Sequence, residues 1–361
     1  MLVPSDRCTR NISVIESYLL LFIGIGIFNL ASLRPVGMKA TARAHPIQGL
    51  IKYHGMRDNN NRYPYHDSIS VCTAPSATTT TVEFQSDAST DVYIVDNERV
   101  EGRAVERIDA VVDHVRERTG IRDPVRLVSE NSFPSNIGFG SSSSGFAAAA
   151  MALVTAAGEE LTRPEISAIA RRGSSSAARA VTGAFSQLYS GMNDTDCHAE
   201  RIETNLDSTV RTVAAHVPAY KETEEAHREA AQSHMFDARL AHVHHQIDAM
   251  RDALYDGDFD RIFELAEHDS LSLTATTMTG PAGWVYWQPQ TIAVFNTVRE
   301  LRERDSIPVY FSTDTGASVY VNTTATHADT VESAIADIGV ETDVWSVGGP
   351  AEVLPAKDSL F

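Results

Sequence analysis

Lysine is nearly missing from this sequence. Only Lys39, Lys52, Lys221 and Lys357 occur, against twenty-six arginines, and 48 acidic residues leave a formal net charge of −18. Such a charge repels nucleic acid and anionic membrane surfaces and argues against both as partners. The imbalance fits a protein working in high salt, where screening mutes self-repulsion; an acidic surface encoded by a GC-rich genome gives the same composition. Cysteine is also scarce. Cys8, Cys72 and Cys197 have no paired or metal-ligand spacing, which excludes a disulfide framework and a structural zinc site and fits a reducing cytosol, so a cytoplasmic protein is expected. One long apolar run occurs, Ile12 to Leu33, with Arg7 and Arg10 before it and Arg34 after it. It has nearly the length of a membrane span, but Glu16 and Asn29 interrupt it and no small-residue cleavage site follows. Met38 is the expected start of the folded protein, with residues 1–37 an extension that plays no part in the fold; a membrane anchor is the alternative.

What is present is the composition of a globular protein: 361 residues, 43% hydrophobic and 22% charged. That length predicts two domains, 38–217 and 218–361, with the boundary at Pro218 and the charged stretch after it. Ser68 to Phe84 reads as two strands about a Pro-Ser turn, and Asp91 to Gly102 as a hairpin about Asp-Asn. Arg103 to Thr119 carries a helical stripe of Val105, Ile108, Val111, Val112 and Val115. Helices are further predicted over 142–157, 163–172 (capped by Thr162, with Pro164 in the first turn), 220–254, 259–268, 290–303 and 328–338. Strands are expected at 125–129, 211–217, 309–313, 318–324 and 342–348. Strands and helices alternate, so the class is α+β.

The segment Phe133 to Met151, FPSNIGFGSSSSGFAAAAM, sets glycines and four serines directly before an alanine run. Glycines admit backbone N–H groups close to an anion, serine hydroxyls add donors, and a helix N-terminus supplies the positive end of its dipole. The segment has the makings of a phosphate cradle, and equally of a flexible serine loop capping a helix. It is not a Walker loop, because no Gly-Lys-Ser/Thr follows.

The order P-x-x-x-G-x-G-S-S resembles the ATP-binding motif of the GHMP kinase superfamily. IKYHGMRD (Ile51 to Asp58) resembles the IKYWGKRD signature of mevalonate diphosphate decarboxylases; ARRGSSSAARAVTGAF (Ala170 to Phe185) resembles that family's ARxGSGSACRSLxGGF; STDTGAS (Ser312 to Ser318) stands where the family has T-x-D-A-G-P-N. The four stretches are in the family's order and extend over most of residues 40 to 350. The resemblance implies a two-domain fold, ribosomal-protein-S5-like in its N-terminal part and ferredoxin-like in its C-terminal part, and a homodimer. ATP is implied as co-substrate, with Mg²⁺ arriving on it. Gly138, Gly140, Ser141, Ser142 and Ser143 would bind ATP; Tyr53, Ser176 and Arg179 would bind the phosphorylated substrate; Lys52 would stabilise charge in transfer. Asp314, before Thr-Gly in what is otherwise a turn setting, would orient or deprotonate the tertiary 3-hydroxyl of mevalonate for attack on the γ-phosphate.

The departures narrow the substrate. Met56 stands where the diphosphate enzymes carry lysine; His54 replaces Trp, His66 replaces Asn, and Ala317-Ser318 replaces Pro-Asn. A buried cation paired with a terminal phosphate contributes about 2–5 kcal/mol, which a substrate with one phosphate does not need. These changes resemble the archaeal, halophile-type phosphomevalonate decarboxylases, which convert mevalonate 5-phosphate to isopentenyl phosphate. The implied activity is ATP-dependent decarboxylation in isoprenoid biosynthesis, with two rivals: decarboxylation of the diphosphate, and a non-catalytic phosphometabolite-binding protein. Arg171 and Arg172 read as surface charges. His242, His244 and His245 are too few for a metal site, and His268-Asp269-Ser270 lacks the nucleophile elbow of a hydrolase.

Overall fold

A computed structural model describes residues 38–133, 139–219 and 223–361. The apolar run and the expected start at Met38 concern residues 1–37, which lie outside the described residues, as does Gly138. The chain from Met38 onward clusters as one unit.

The first part of the chain is β1 (Lys39–Ala44), β2 (Ile47–Ile51), β3 (Met56–Asp58), β4 (Tyr63–Pro64), β5 (Ser68–Ala74), β6 (Thr78–Phe84), β7 (Val92–Val95), β8 (Glu98–Arg99), α1 (Arg103–Thr119), β9 (Val125–Asn131), α2 (Ser141–Ala156), α3 (Arg163–Gly173), α4 (Ala177–Thr182), β10 (Phe185–Leu188) and β11 (Ala199–Arg201). The remainder is β12 (Val210–His216), α5 (Thr223–Glu229), α6 (Phe236–Asp256), α7 (Phe259–Met278), α8 (Pro289–Asp305), β13 (Val309–Ser312), β14 (Val319–Thr324), α9 (Ala328–Ala336), β15 (Glu341–Val347) and β16 (Glu352–Leu354). A six-stranded sheet runs β16-β1-β6-β9-β7-β8. An eight-stranded sheet runs β11-β10-β5-β15-β12-β14-β13, with β2 paired to β5.

The alanine run is explained by crowding. In α2, Ala147 to Ala152 are all buried, packed on β1 and β6 and between α3 and α4, where larger side chains would hold the elements apart. Thr162 caps α3 as expected, and Glu165 completes a capping box with it. A second core gathers β2 and β5 against α6 and α7, and a third sets α8 and α9 on β12, β13 and β14.

Three differences from the sequence reading have physical causes. The region predicted as one long helix from 220 breaks at Ser233, whose backbone N–H closes a turn on Ala230 O (3.1 Å) and whose Oγ accepts from Met235 N (3.1 Å), so α5 and α6 are separate. Helix α7 runs ten residues past His268. Its C-terminal half is rich in Ser and Thr, poor helix formers, but Ser270, Thr276, Thr277 and Thr279 hydrogen-bond the carbonyls four residues back, at 2.7–3.1 Å. Strand β12, placed before the Pro218 boundary, pairs on both sides with strands from the C-terminal half, β14 and β15. Strand β15 in turn pairs with β5 (Ser346 opposite Ala74), and β16 returns to β1 (Leu354 opposite Thr41). Across these sheets β2 and β13 meet through their side chains, Gln48 Nε2 donating to Ser312 Oγ (2.8 Å).

Candidate active site

The serine turn has the geometry that an anion cradle requires. Gly140 precedes α2 in the left-handed region (φ 76°), and a Cβ there would stand 3.1 Å from both Ile47 O and Ser143 Oγ, so glycine answers both conformation and space. No side chain caps α2, and its first turn carries no acidic residue to occupy the positive end of the dipole. Two of the serines have structural work: Ser143 Oγ donates to Gly140 O (2.6 Å) and accepts from Ile47 N (3.2 Å), while Ser144 Oγ bonds Thr78 Oγ1 (2.7 Å). Ser141 and Ser142 face the cavity. Just before the turn, Phe139 is inserted edge-on among His216, Tyr320 and Trp345 with ring centroids 4.9–5.0 Å away, which pins the cradle to β12, β14 and β15.

In the middle of β2, Gly49 lies against both proposed catalytic groups. A Cβ on Gly49 would come within 2.6 Å of Lys52 Cγ and 3.0 Å of Asp314 Oδ1. The Gly49 N–H donates to Asp314 Oδ1 (3.2 Å) and the buried Tyr320 hydroxyl donates to Oδ2 (3.2 Å). Burial, the Asp314 charge and this bond hold the Tyr320 hydroxyl protonated, its pKa well above the usual phenol range. Lys52 is 5% exposed. Burial lowers its pKa, against which the carboxylates of Asp269 and Asp314 raise it. A buried polar ladder, Gln48 Nε2 to Ser312 Oγ (2.8 Å) and Thr212 Oγ1 to Gln48 Oε1 (3.4 Å), locks β2 to the strands that present Asp314.

The wall of the cavity around Arg179 is cationic. Arg179, 2% exposed on α4, projects over the Tyr53 ring (5.5 Å), and its Nε and Nη1 find no acceptor among the described residues. Burial pulls its pKa down to about 10, opposed by Tyr53 and Asp314, so it remains charged at neutral pH. Ser176 is the N-cap residue of α4 and bonds Ser174 Oγ (2.8 Å). Arg62 and Arg107 complete the wall, with Met56 beside them. Tyr53 is half-buried; desolvation raises its pKa, and its ring stacks on His227 of α5 at 5.1 Å.

One cavity of about 300 Å³ is lined by Lys52, Asp314, Gly140, Ser141, Ser142, Ser143, Tyr53, Ser176 and Arg179. Every predicted site residue that is described lies on it. The sequence reading missed Arg239 and underrated Asp269 and Ser270, whose proximity to Lys52 comes from a helix more than two hundred residues away. His268, the third member of that tripeptide, is exposed on the opposite face of α7, which rules out a triad of consecutive residues. Arg171 is corrected too: it is fully buried, not on the surface. Its Nε donates to Cys197 O (3.1 Å), and its guanidinium binds Asn61 O and Asp194 and covers the Tyr63 ring at 4.5 Å. Those partners sit in loops distant in sequence, which no helical periodicity reveals.

Residues 44–199 match the diphosphomevalonate decarboxylase-like N-terminal domain, and residues 212–347 the mevalonate 5-diphosphate decarboxylase C-terminal domain. The chain is 75% identical over 324 residues, 90% of its length and 100% of the relative's, to phosphomevalonate decarboxylase of Haloferax volcanii. Its fold superposes on mevalonate diphosphate decarboxylase from Staphylococcus aureus with TM-score 0.84 at 26% identity, covering 88% of this chain and 98% of that one. A second solved relative, described as in complex with MVAPP, AMPPCP and magnesium, gives TM-score 0.83 at 26% identity, with 89% and 100% covered. Both domain matches, found in order along one chain that carries the buried lysine and the half-buried aspartate on a shared cavity, place this protein in the mevalonate diphosphate decarboxylase family of the GHMP fold.

Proposed function

We propose that this protein catalyses ATP-dependent decarboxylation of mevalonate 5-phosphate to isopentenyl phosphate, ADP, phosphate and CO₂, a step of isoprenoid biosynthesis by the mevalonate pathway. The observation that carries the reading is the meeting in one cavity of Lys52, Asp314, an uncapped helix N-terminus and the buried Arg179, in a chain 75% identical to a phosphomevalonate decarboxylase.

In this reading the nucleotide phosphates lie on Gly140, Ser141 and Ser142, where N–H groups and the α2 dipole meet negative charge. Gly138 belongs to the same reading but lies outside the described residues; Ser143 acts by holding the turn as well as lining it. Arg179, Ser176 and Tyr53 take the acidic ends of the substrate, the arginine presenting two donors, Nε and Nη1, that no group among the described residues uses. Asp314 accepts the proton of the tertiary alcohol, and Lys52 offsets charge gathering on the transferred phosphoryl group. Once the 3-oxygen is phosphorylated, its C–O bond breaks with phosphate leaving; the C1–C2 electron pair forms the new double bond and C1 departs as CO₂. Met56 in place of a cation favours the monophosphate.

Among the described residues no three His, Cys, Asp or Glu side chains gather as a metal cage, and Asp314 is the one acidic residue lining the cavity. That donor set suits a Mg²⁺ ion carried mainly by the nucleotide's own oxygens. Bound there, the ion would neutralise phosphate charge.

The homodimer and the high-salt setting extend the proposal; the charge of −18 and the shortage of lysine support the latter. Cytoplasmic location accords with Cys72 and Cys197, buried free thiols, and no described helix is long and apolar enough to cross a membrane.

The test compares CO₂ and ADP release from the purified protein with ATP and either mevalonate 5-phosphate or mevalonate 5-diphosphate. Release from the monophosphate is expected. Release from the diphosphate alone overturns the substrate assignment; ADP without CO₂ indicates a kinase; binding without either product indicates a non-catalytic protein.

A further inference from the structure

Lys52 and Asp314 come from strands far apart in sequence, yet a single dipeptide in the middle of α7 touches the anchorage of both. Asp269 Oδ2 accepts from the backbone N–H of Lys52 (2.9 Å) and faces its ammonium at 3.6 Å. Its other oxygen accepts from Arg239 Nη2 (2.9 Å), and the same nitrogen donates to the Lys52 carbonyl (2.7 Å). The Asp269–Arg239 pair therefore grips both polar groups of the Lys52 peptide backbone. Ser270 Oγ accepts from Lys52 Nζ (3.1 Å) and from the backbone N–H of Thr313 (3.1 Å), the residue directly before Asp314, while its proton goes to Ala266 O (2.8 Å).

All four side chains are almost fully buried: Lys52 5%, Asp269 3%, Ser270 0% and Arg239 4% exposed. Burying a lysine, an arginine and a carboxylate together costs free energy that the ion pairs only partly offset, so the arrangement is a poor way to gain stability. Its geometry instead sets the spacing of two reacting groups.

We infer that Asp269 and Ser270, with Arg239 behind them, are positioning residues for the reaction, fixing the Lys52 ammonium relative to the Asp314 carboxylate from one rigid turn of α7. The inference rests on the proposed function, whose catalytic pair it uses. It also carries an electrostatic consequence. The charged groups facing Lys52 are Asp269 of α7, Asp314 after β13 and Arg239 of α6. The first two favour its protonated form and the last opposes it, so neutralising Asp269 leaves only Asp314 against burial and Arg239 and lowers the pH at which Lys52 loses its proton.

The experiment measures kcat, KM for ATP and KM for mevalonate 5-phosphate across pH for wild type, Ser270→Ala and Asp269→Asn. Ser270→Ala removes one hydroxyl from a helix that otherwise stays intact. It is expected to lower kcat by roughly ten- to a hundredfold, the range over which small misplacement of reacting groups acts, with both KM values within about twofold of wild type on that same reasoning. In Asp269→Asn the alkaline limb of the kcat profile moves to lower pH, which a purely structural loss would not produce. If Asp269→Asn does not fold, the Ser270→Ala result decides alone. Unchanged kcat in Ser270→Ala overturns the inference, as does an alkaline limb unmoved in a folded Asp269→Asn. Wild-type protein that releases no CO₂ defeats the proposed function itself, a separate result.

Discussion

At the scale of single residues, Asp314 shows how environment outweighs residue type. Aspartate beside glycine ordinarily serves a turn, but here its two oxygens accept from Gly49 N and the Tyr320 hydroxyl, and both donors hold the carboxylate toward the cavity. Asparagine at 314 keeps an oxygen for one of these donors and loses the charge and the basicity. Asp314→Asn is expected to lower CO₂ release by roughly 10²–10⁴-fold, the usual contribution of a positioned base, while ATP binding measured by titration stays close to wild type. Turnover at the wild-type rate would refute the role. Gly49 is equally specific: its place between Lys52 and Asp314 leaves no room for a Cβ.

At the scale of elements, the serine turn works because both of its flanks are anchored. Ser143 ties it to β2, and Phe139 ties it to the sheet formed by the C-terminal strands. Removing the Phe139 ring empties a buried aromatic site, which costs about 3–5 kcal/mol, and also frees the cradle from Trp345 and Tyr320. Phe139→Ala should therefore lower the thermal midpoint and raise KM for ATP more than KM for the substrate. A fall in stability with an unchanged KM for ATP would mean that the ring supports the fold without positioning the cradle. Much of the element level was legible in the sequence. The stripe from Val105 to Val115 is a helix of the expected bounds, and Thr162 caps α3 as expected. What misled was composition: the Ser and Thr of the second half of α7 argue against helix in isolation, and only their back-bonded hydroxyls reconcile them with it.

At the scale of the whole molecule, burial of ionisable groups sets a pH dependence of stability. His66 is 1% exposed, and burial, reinforced by the Arg239 charge, lowers its pKa to about 4; His54 is shifted in the same direction. A depressed histidine is neutral in the fold but protonates near 6.5 once unfolded. Above pH 6.5 the fold carries no penalty. As pH falls from there toward 4 the unfolded chain takes up the proton first, so stability is lost through that window. For His66 alone the loss is roughly 3 kcal/mol. Denaturant midpoints between pH 7 and pH 4.5 should fall accordingly, and His66→Gln should flatten the slope; equal slopes in both proteins would show that His66 does not titrate this way.

The sequence by itself determined which chemistry was available. A lone lysine after Ile51, the glycine-serine turn before an alanine helix, the serines ahead of Arg179 and the aspartate before Thr315-Gly316 are local patterns, and local patterns follow from the 3.6- and two-residue periods of helix and strand. Only the tertiary structure decided which of these residues meet, and which others hold them. Lys52 and Asp269 stand 217 positions apart, and Gly49 and Asp314 265 apart. Arg171 turns inward to an aspartate in a distant loop, and β12, β15 and β16 carry the sheets across the expected boundary. Contacts at such separations are fixed by the packing of buried surfaces and the pairing of buried charges, and neither leaves a period in the chain that makes them.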